Sequence, residues 1–155
     1  MATASEGDPA PEFEMPGTGG RSYRLADYRG GWVVLAFYPG DFTTVCTKQF
    51  CSYRDRDRDL AALEAVVLGI SPQGVDSHER FVAEHDLNVP LLADEDKGVA
   101  RAYGVLGPGG FVRRAIIIID PEGVIRHRDV AMIGLSYRNV DEIAAVLAEL
   151  RQPVA

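Results

Sequence analysis

Seven consecutive apolar residues, Trp32-Val-Val-Leu-Ala-Phe-Tyr38, leave little choice about the centre of this chain. Neither side of such a run is polar, so as a strand it must be covered on both faces, as in the interior of an α/β sheet. Pro39-Gly40 ends it, because proline has no N–H for the ladder and glycine frees the turn. Thr43 or Thr44 then stands where a helix N-cap is preferred, with Cys46 in the first turn that follows. A thiol at a helix start, just past a buried parallel strand, sits where α/β sheets usually place their chemistry.

The remaining elements follow from period and punctuation. Residues 1–9 are small and polar and are expected to form a flexible tail. Phe13-Glu-Met15 and Ser22-Tyr-Arg-Leu25 flank Gly17-Thr-Gly-Gly20 and read as a short β-hairpin. After the connector 26–31 come the strand 32–38 and the cysteine helix, which should run to about residue 62. Ala65-Val-Val-Leu-Gly-Ile70 is a second buried strand, so 32–70 is a βαβ unit with parallel strands. A helix over 76–85 opens with Asp76 and Glu79 spaced as an acidic capping box. An extended piece at 89–92 and a short helix at 97–103 follow. Arg114-Ala-Ile-Ile-Ile-Ile-Asp120 is a third buried strand, turned by Pro121-Glu-Gly123 into a polar edge strand at 124–130. The last helix, 138–151, puts Val140, Ile143, Leu147 and Leu150 on one face. One α/β domain results, with a mixed central sheet flanked by helices on both faces.

At 155 residues such a domain buries roughly 70% of the surface its unfolded chain exposes, so it needs no metal or disulfide staple. A net charge of −7 without a basic stripe argues against nucleic acid as a partner. The two lysines, Lys48 and Lys97, stand against fourteen arginines, a bias that carries no functional reading. The first ten residues hold neither a basic nor an apolar signal region, and no stretch approaches a membrane span. A cytoplasmic location is the default expectation, and there both cysteines rest as thiols unless they turn over.

Cys46 and Cys51 are the whole cysteine complement. Free N–H groups and the positive dipole end at a helix start favour a thiolate at Cys46, and the thiolate is the nucleophilic form. The bland alternative is a buried apolar cysteine. Cys51, five positions on, would lie about 7.5 Å along an unbroken helix and about 140° round it. The Cα separation of roughly 8–9 Å exceeds the disulfide limit, so the pair can bond only if the helix unwinds. The spacing is not the C-x-x-C of zinc sites and dithiol exchange, and His78, His85 and His127 are scattered, so no metal is expected.

Pro39-Gly-Asp-Phe-Thr43-Thr-Val-Cys46 resembles the P-x-x-x-T-x-x-C motif of the peroxiredoxins. With C-x4-C, Phe37-Tyr38 before it and Tyr53-Arg54-Asp55 after it, the chain is similar to their bacterioferritin-comigratory or Q-type branch. Pro11-Glu-Phe13, Leu91-Leu-Ala-Asp94, Ala102-Tyr-Gly-Val105 and Ile119-Asp-Pro-Glu-Gly123 extend the likeness through nearly the whole chain. The resemblance implies a thioredoxin-like fold with an N-terminal β-hairpin extension. It implies Cys46 as the peroxidatic and Cys51 as the resolving cysteine. Thr43 is then the hydroxyl that meets the peroxide, Pro39 the shield of the thiolate pocket, and Arg114 the guanidinium that braces the thiolate. Each of the last three also has a plain reading: N-cap, strand terminator and solvated strand-end charge. Where the family often has glutamate, this chain has Gln49, which keeps the hydrogen bonds and loses the charge.

The implied activity is a thiol-dependent peroxidase acting on hydrogen peroxide or small organic hydroperoxides. Thioredoxin or a similar dithiol protein would restore the thiols, without a bound cofactor, in a monomer or weak homodimer. One rival, a non-enzymatic thioredoxin-like peroxide sensor, shares the same opening chemistry; a third reading, a general disulfide reductase, predicts insulin reduction and is weakened by the missing C-x-x-C.

Overall fold

The computed structural model describes residues 4–131 and 139–151. Its strands are β1 (Glu14–Gly17), β2 (Arg21–Arg24), β3 (Trp32–Phe37), β4 (Ala65–Ser71), β5 (Leu91–Ala93), β6 (Ala115–Ile119) and β7 (Ile125–Val130). They form one sheet in the order β2-β1-β5-β4-β3-β6-β7. The helices are α1 (Thr44–Asp55), α2 (Asp57–Ala62), α3 (Val75–His85), α4 (Gly98–Ala102) and α5 (Val140–Arg151). Among the described residues none is long and apolar enough to cross a membrane.

β3 lies inside the mixed sheet, between β4 and β6. It runs parallel to β4 from Trp32↔Ala65 to Phe37↔Ile70 and antiparallel to β6 from Val33↔Ile119 to Phe37↔Ala115. Side chains alternate across a strand, so its apolar run feeds two cores. Val33, Leu35 and Phe37 pack with Leu68, Ile70, Ile117 and Ile119, closed over by Phe13, Met15, Tyr23 and Tyr103. Val34, Ala36 and Tyr38 pack with Ile116 and Ile118 beneath Phe50 and Tyr53 of α1, Phe81 of α3 and Leu147 of α5. Full burial of each such large apolar side chain contributes about 1.5–3 kcal/mol. Gly69 in β4 sets how closely α1 can approach: a Cβ there would stand 3.0 Å from Phe50 Cζ and 2.7 Å from Leu91 Cδ2.

Several boundaries differ from those read in the sequence. The helix expected to run to residue 62 breaks at Arg56 (φ −107°, ψ 37°) and restarts as α2. Residues 54–59 alternate arginine and aspartate, and the stretch 55–59 buries no side chain that would hold the axis to the sheet. No acidic capping box opens α3. Gly74 is its N-cap, and Glu79 Oε1 instead accepts the Gly19 N–H at 2.8 Å, clamping the β1–β2 turn. The tail expected at 1–9 is hydrogen-bonded from residue 5 onward: Ser5 N–H donates to Asp8 Oδ2 at 2.9 Å, Gly7 N–H to Ile125 O at 2.8 Å and Ile125 N–H to Asp8 O at 2.9 Å. Ala4 is buried in the first core. The edge strand β7 carries a register shift opposite Ile118 and Ile119. Residue 138, the expected start of the last helix, lies outside the described residues.

Candidate active site

The site lies at the carboxyl end of β3, and sheet register explains why. β6 runs antiparallel to β3 and begins where β3 ends, with Ala115 opposite Phe37. Arg114, one residue earlier, is thereby carried beside the loop that follows Tyr38. α1 starts from that loop, with Cys46 as its third residue. Two residues 68 positions apart meet: Arg114 Nη2–H donates to Cys46 Sγ at 3.1 Å.

Cys46 is fully buried and shares the core of Phe50, Tyr53 and Ile116, as the plain reading of a buried cysteine requires. It is also in contact with a guanidinium, which that reading does not require. Arg114 is itself only 4% exposed. Its Nη1–H donates to Gln49 Oε1 at 2.5 Å, and Gln49 Nε2–H donates to Tyr53 Oη at 2.9 Å. Arg114 Nε is buried without a partner among the described residues. No carboxylate touches this guanidinium in the hydrogen bonds and ion pairs of the described residues, so the sulfur is its one potential anionic neighbour. A charge removed from water without a counter-ion is costly, and the one hydrogen-bonded neighbour here that could carry a negative charge is the sulfur.

The other residues singled out in the sequence surround this pair with less contact. Thr43 occupies the N-cap position (φ −73°, ψ 151°), yet its side chain makes no capping bond. Its exposed hydroxyl donates backward to Gly40 O at 3.2 Å. Pro39 is half-buried directly after Tyr38. Cys51 is a half-buried free thiol further along α1, packed against the same core as Cys46. With both thiols on one helix, the geometry holds them apart.

A second group of side chains, which sequence reasoning did not identify, lies one step back along the loop. Asp41 Oδ1 accepts from Tyr38 Oη at 2.7 Å, and Oδ2 accepts from Ser77 Oγ at 2.8 Å. His78 Nδ1 stands 2.7 Å from the same Oδ2, and His78 Nε2–H donates to Leu92 O at 3.0 Å. The Asp41 and His78 side chains are both completely buried. The Asp41 N–H is held by Gln73 Oε1. Burial first, and then the Asp41 charge, push the Tyr38 phenol well above its ordinary range, so it stays a donor. Asp41 lies inside the P-x-x-x-T-x-x-C stretch and was a readable candidate; nothing near His78 marked it in the sequence. Among the described residues no group of three or more His, Cys, Asp or Glu side chains converges as a metal site would.

Residues 6–128 match the model of the AhpC/TSA family. The chain belongs to that family. It is 35% identical over 132 residues to peroxiredoxin Bcp of Bacillus subtilis, covering 78% of this chain and 82% of that protein. The crystal structure of peroxidoxin BcpB from Mycobacterium tuberculosis superposes with a TM-score of 0.84 at 30% identity, covering 96% of this chain and 99% of that one. Peroxiredoxin Q of Xanthomonas campestris gives a TM-score of 0.79 at 26% identity over 88% of this chain and 90% of that one. The fold is therefore thioredoxin-like, of the peroxiredoxin kind, and the resemblance to the bacterioferritin-comigratory branch holds. The chain is a thiol-dependent peroxidase.

Proposed function

We propose that Cys46 is the peroxidatic residue and Cys51 the resolving one. The single observation that carries this reading is the Arg114 guanidinium on Cys46 Sγ at 3.1 Å in a site sealed from water. Donors aimed at a reacting atom act more strongly in such a place than in water. The Cys46 thiolate attacks the terminal oxygen of a hydroperoxide. The S–O bond forms as the O–O bond breaks, giving a Cys46 sulfenic acid and an alkoxide or hydroxide, which takes up a proton. Arg114 holds the sulfur in line for that displacement. Thr43, once its hydroxyl turns from Gly40 O, donates to the departing oxygen. Pro39 excludes water from one side.

Resolution requires α1 to open at its first turns, because two thiols five residues apart on one helix cannot reach bonding distance. Cys51 then attacks the sulfenic sulfur, forming the Cys46–Cys51 disulfide and releasing water. A dithiol protein of the thioredoxin type takes up the disulfide in two exchange steps and restores both thiols. The substrates are hydrogen peroxide and small organic hydroperoxides. The protein works in the cytoplasm as a monomer or weak homodimer.

The test is peroxide consumption coupled to thioredoxin, thioredoxin reductase and NADPH. Cys46→Ser should abolish turnover, whereas Cys51→Ser should consume about one equivalent per chain and then stop in sulfenic or more oxidised cysteine. A Cys46→Ser protein that turns over like the parent would overturn the assignment.

A further inference from the structure

The buried group around Asp41 takes no part in the chemistry above, yet its side chains are fully connected by hydrogen bonds. His78 Nε2 faces a carbonyl and must carry hydrogen. Asp41 already accepts from two hydroxyls, and Nδ1 of His78 is 2.7 Å from one of its oxygens. Tyr38 Oη also lies 3.3 Å from that Nδ1, so carboxyl, imidazole and phenol form one buried hydrogen-bond network, in which each contact is stronger than it would be in water. Breaking one side of such a pair is far more disruptive than replacing both.

The side chains that grip Asp41 from outside the loop come from the β4–α3 side. Gln73, Ser77 and His78 grip Asp41, while the ring of Phe42 rests on Phe81 of α3 with centroids 5.1 Å apart. The loop they grip is strained. Phe42 is 44% exposed and adopts φ +65°, a conformation that costs a residue with a side chain and persists only when its surroundings impose it. Two residues later α1 begins.

We propose that Asp41 and His78 are positioning residues: a latch between the active-site loop and α3 that keeps the first turn of α1 folded, with Cys46 on Arg114. The latch sets how often that turn opens, and so how the Cys46 sulfenic acid partitions. Opening delivers it to Cys51, giving the disulfide and water. Staying closed leaves it to a second hydroperoxide, which oxidises it to the sulfinic acid and is itself reduced to an alcohol or water. This partition rests on the resolving role proposed for Cys51; the latch itself does not.

The experiment has two readouts on the full chain. Amide hydrogen exchange of the reduced protein should speed up in His78→Leu by about tenfold or more over residues 40–49, relative to β3 and α5; tenfold corresponds to about 1.4 kcal/mol of lost latch. With excess hydrogen peroxide, mass spectrometry should find more Cys46–Cys51 disulfide and less Cys46 sulfinic acid than in the parent. Asp41→Ala, which removes the carboxyl itself, should shift both readouts the same way and carries the test if His78→Leu does not fold. Asp41→Asn, whose amide can still bond Tyr38 and His78, should restore both most of the way. Exchange that rises equally throughout the protein, or not at all in the loop, overturns the latch. A parent protein that forms no Cys46–Cys51 disulfide overturns the resolving role and the partition, while the exchange data still decide the latch.

Discussion

From Val33 to Phe37 the chain meets only apolar neighbours and paired backbone; from Tyr38 to Cys46 it meets a buried carboxyl, a buried imidazole and a buried guanidinium, with the hydroxyls of Tyr38 and Ser77. The two stretches adjoin and share a sheet face, but different kinds of interaction hold them. In β3 each contact is small, non-directional and replaceable by another apolar group of similar volume. In the corner a few directional contacts each depend on a named partner, and losing one strands a buried polar group. On the roles proposed above, stability resides in the first stretch, and reactivity together with conformational choice in the second.

That division is open to direct attack. Ile117 lies fully buried opposite Leu35. Ile117→Ala should destabilise the protein by about 2–5 kcal/mol in chemical denaturation, with Cys46 of the remaining folded protein still reacting with peroxide at close to the parent rate. Arg114→Met should show the opposite pattern. Removing the donor on the sulfur should slow the reaction of Cys46 with hydrogen peroxide by about a hundredfold or more in stopped-flow measurements. Its stability should change little, because the variant also removes a buried charge with an orphaned Nε, which offsets the stranded Gln49 oxygen. If both variants lose stability and reactivity in proportion, the two regions form one cooperative unit and the distinction fails.

The same contrast governs what could be read from the sequence. The strands of the first stretch were legible because their signal is local: 32–38, 65–70 and 114–120 are apolar runs bounded by proline, glycine or charge. Cys46, Cys51, Thr43, Pro39 and Arg114 were named through a motif, and the structure brings only Cys46 and Arg114 into contact. Gln49 was legible as a substitution, though not as the link from Arg114 to Tyr53. His78 was not legible at all. Its meaning lies in a distance to Asp41 that only the parallel pairing of β3 with β4 creates, and no spacing along the chain encodes that distance. The break at Arg56 was missed for a related reason: no proline or glycine marks it, and what is absent is tertiary anchorage.

Gln49→Glu sharpens the comparison within the corner itself. The substitution keeps the shape, and the Tyr53 hydroxyl can turn from accepting to donating. It offers Arg114 a carboxyl, which competes with the sulfur for the guanidinium. Peroxide reduction should slow by about tenfold, as one charge-assisted contact is weakened by about 1.4 kcal/mol. Stopped-flow measurement of Cys46 oxidation by hydrogen peroxide checks this. An unchanged rate would mean that the Arg114 contact does not set the reactivity of the sulfur.

The smallest effect concerns backbone strain at Phe42, where φ is +65° and the ring leans on Phe81. Phe42→Ala removes the ring contact and keeps the strain, because alanine also has a Cβ. Phe42→Gly removes both. Both variants lose the same aromatic contact, so the difference between them isolates the backbone. The glycine protein should be the more stable in chemical denaturation by up to about 1 kcal/mol, after the greater freedom of glycine in the unfolded chain is set against the αL cost. The sign is the informative part, since glycine placed where φ is negative would be the less stable of the two. Neither change should affect β3, so hydrogen exchange of Val33 to Phe37, which samples global unfolding, should move only by the measured stability difference. Equal stability of the two variants would mean that the loop carries no stored strain, and that the grip of α3 on Asp41 merely positions an already relaxed turn.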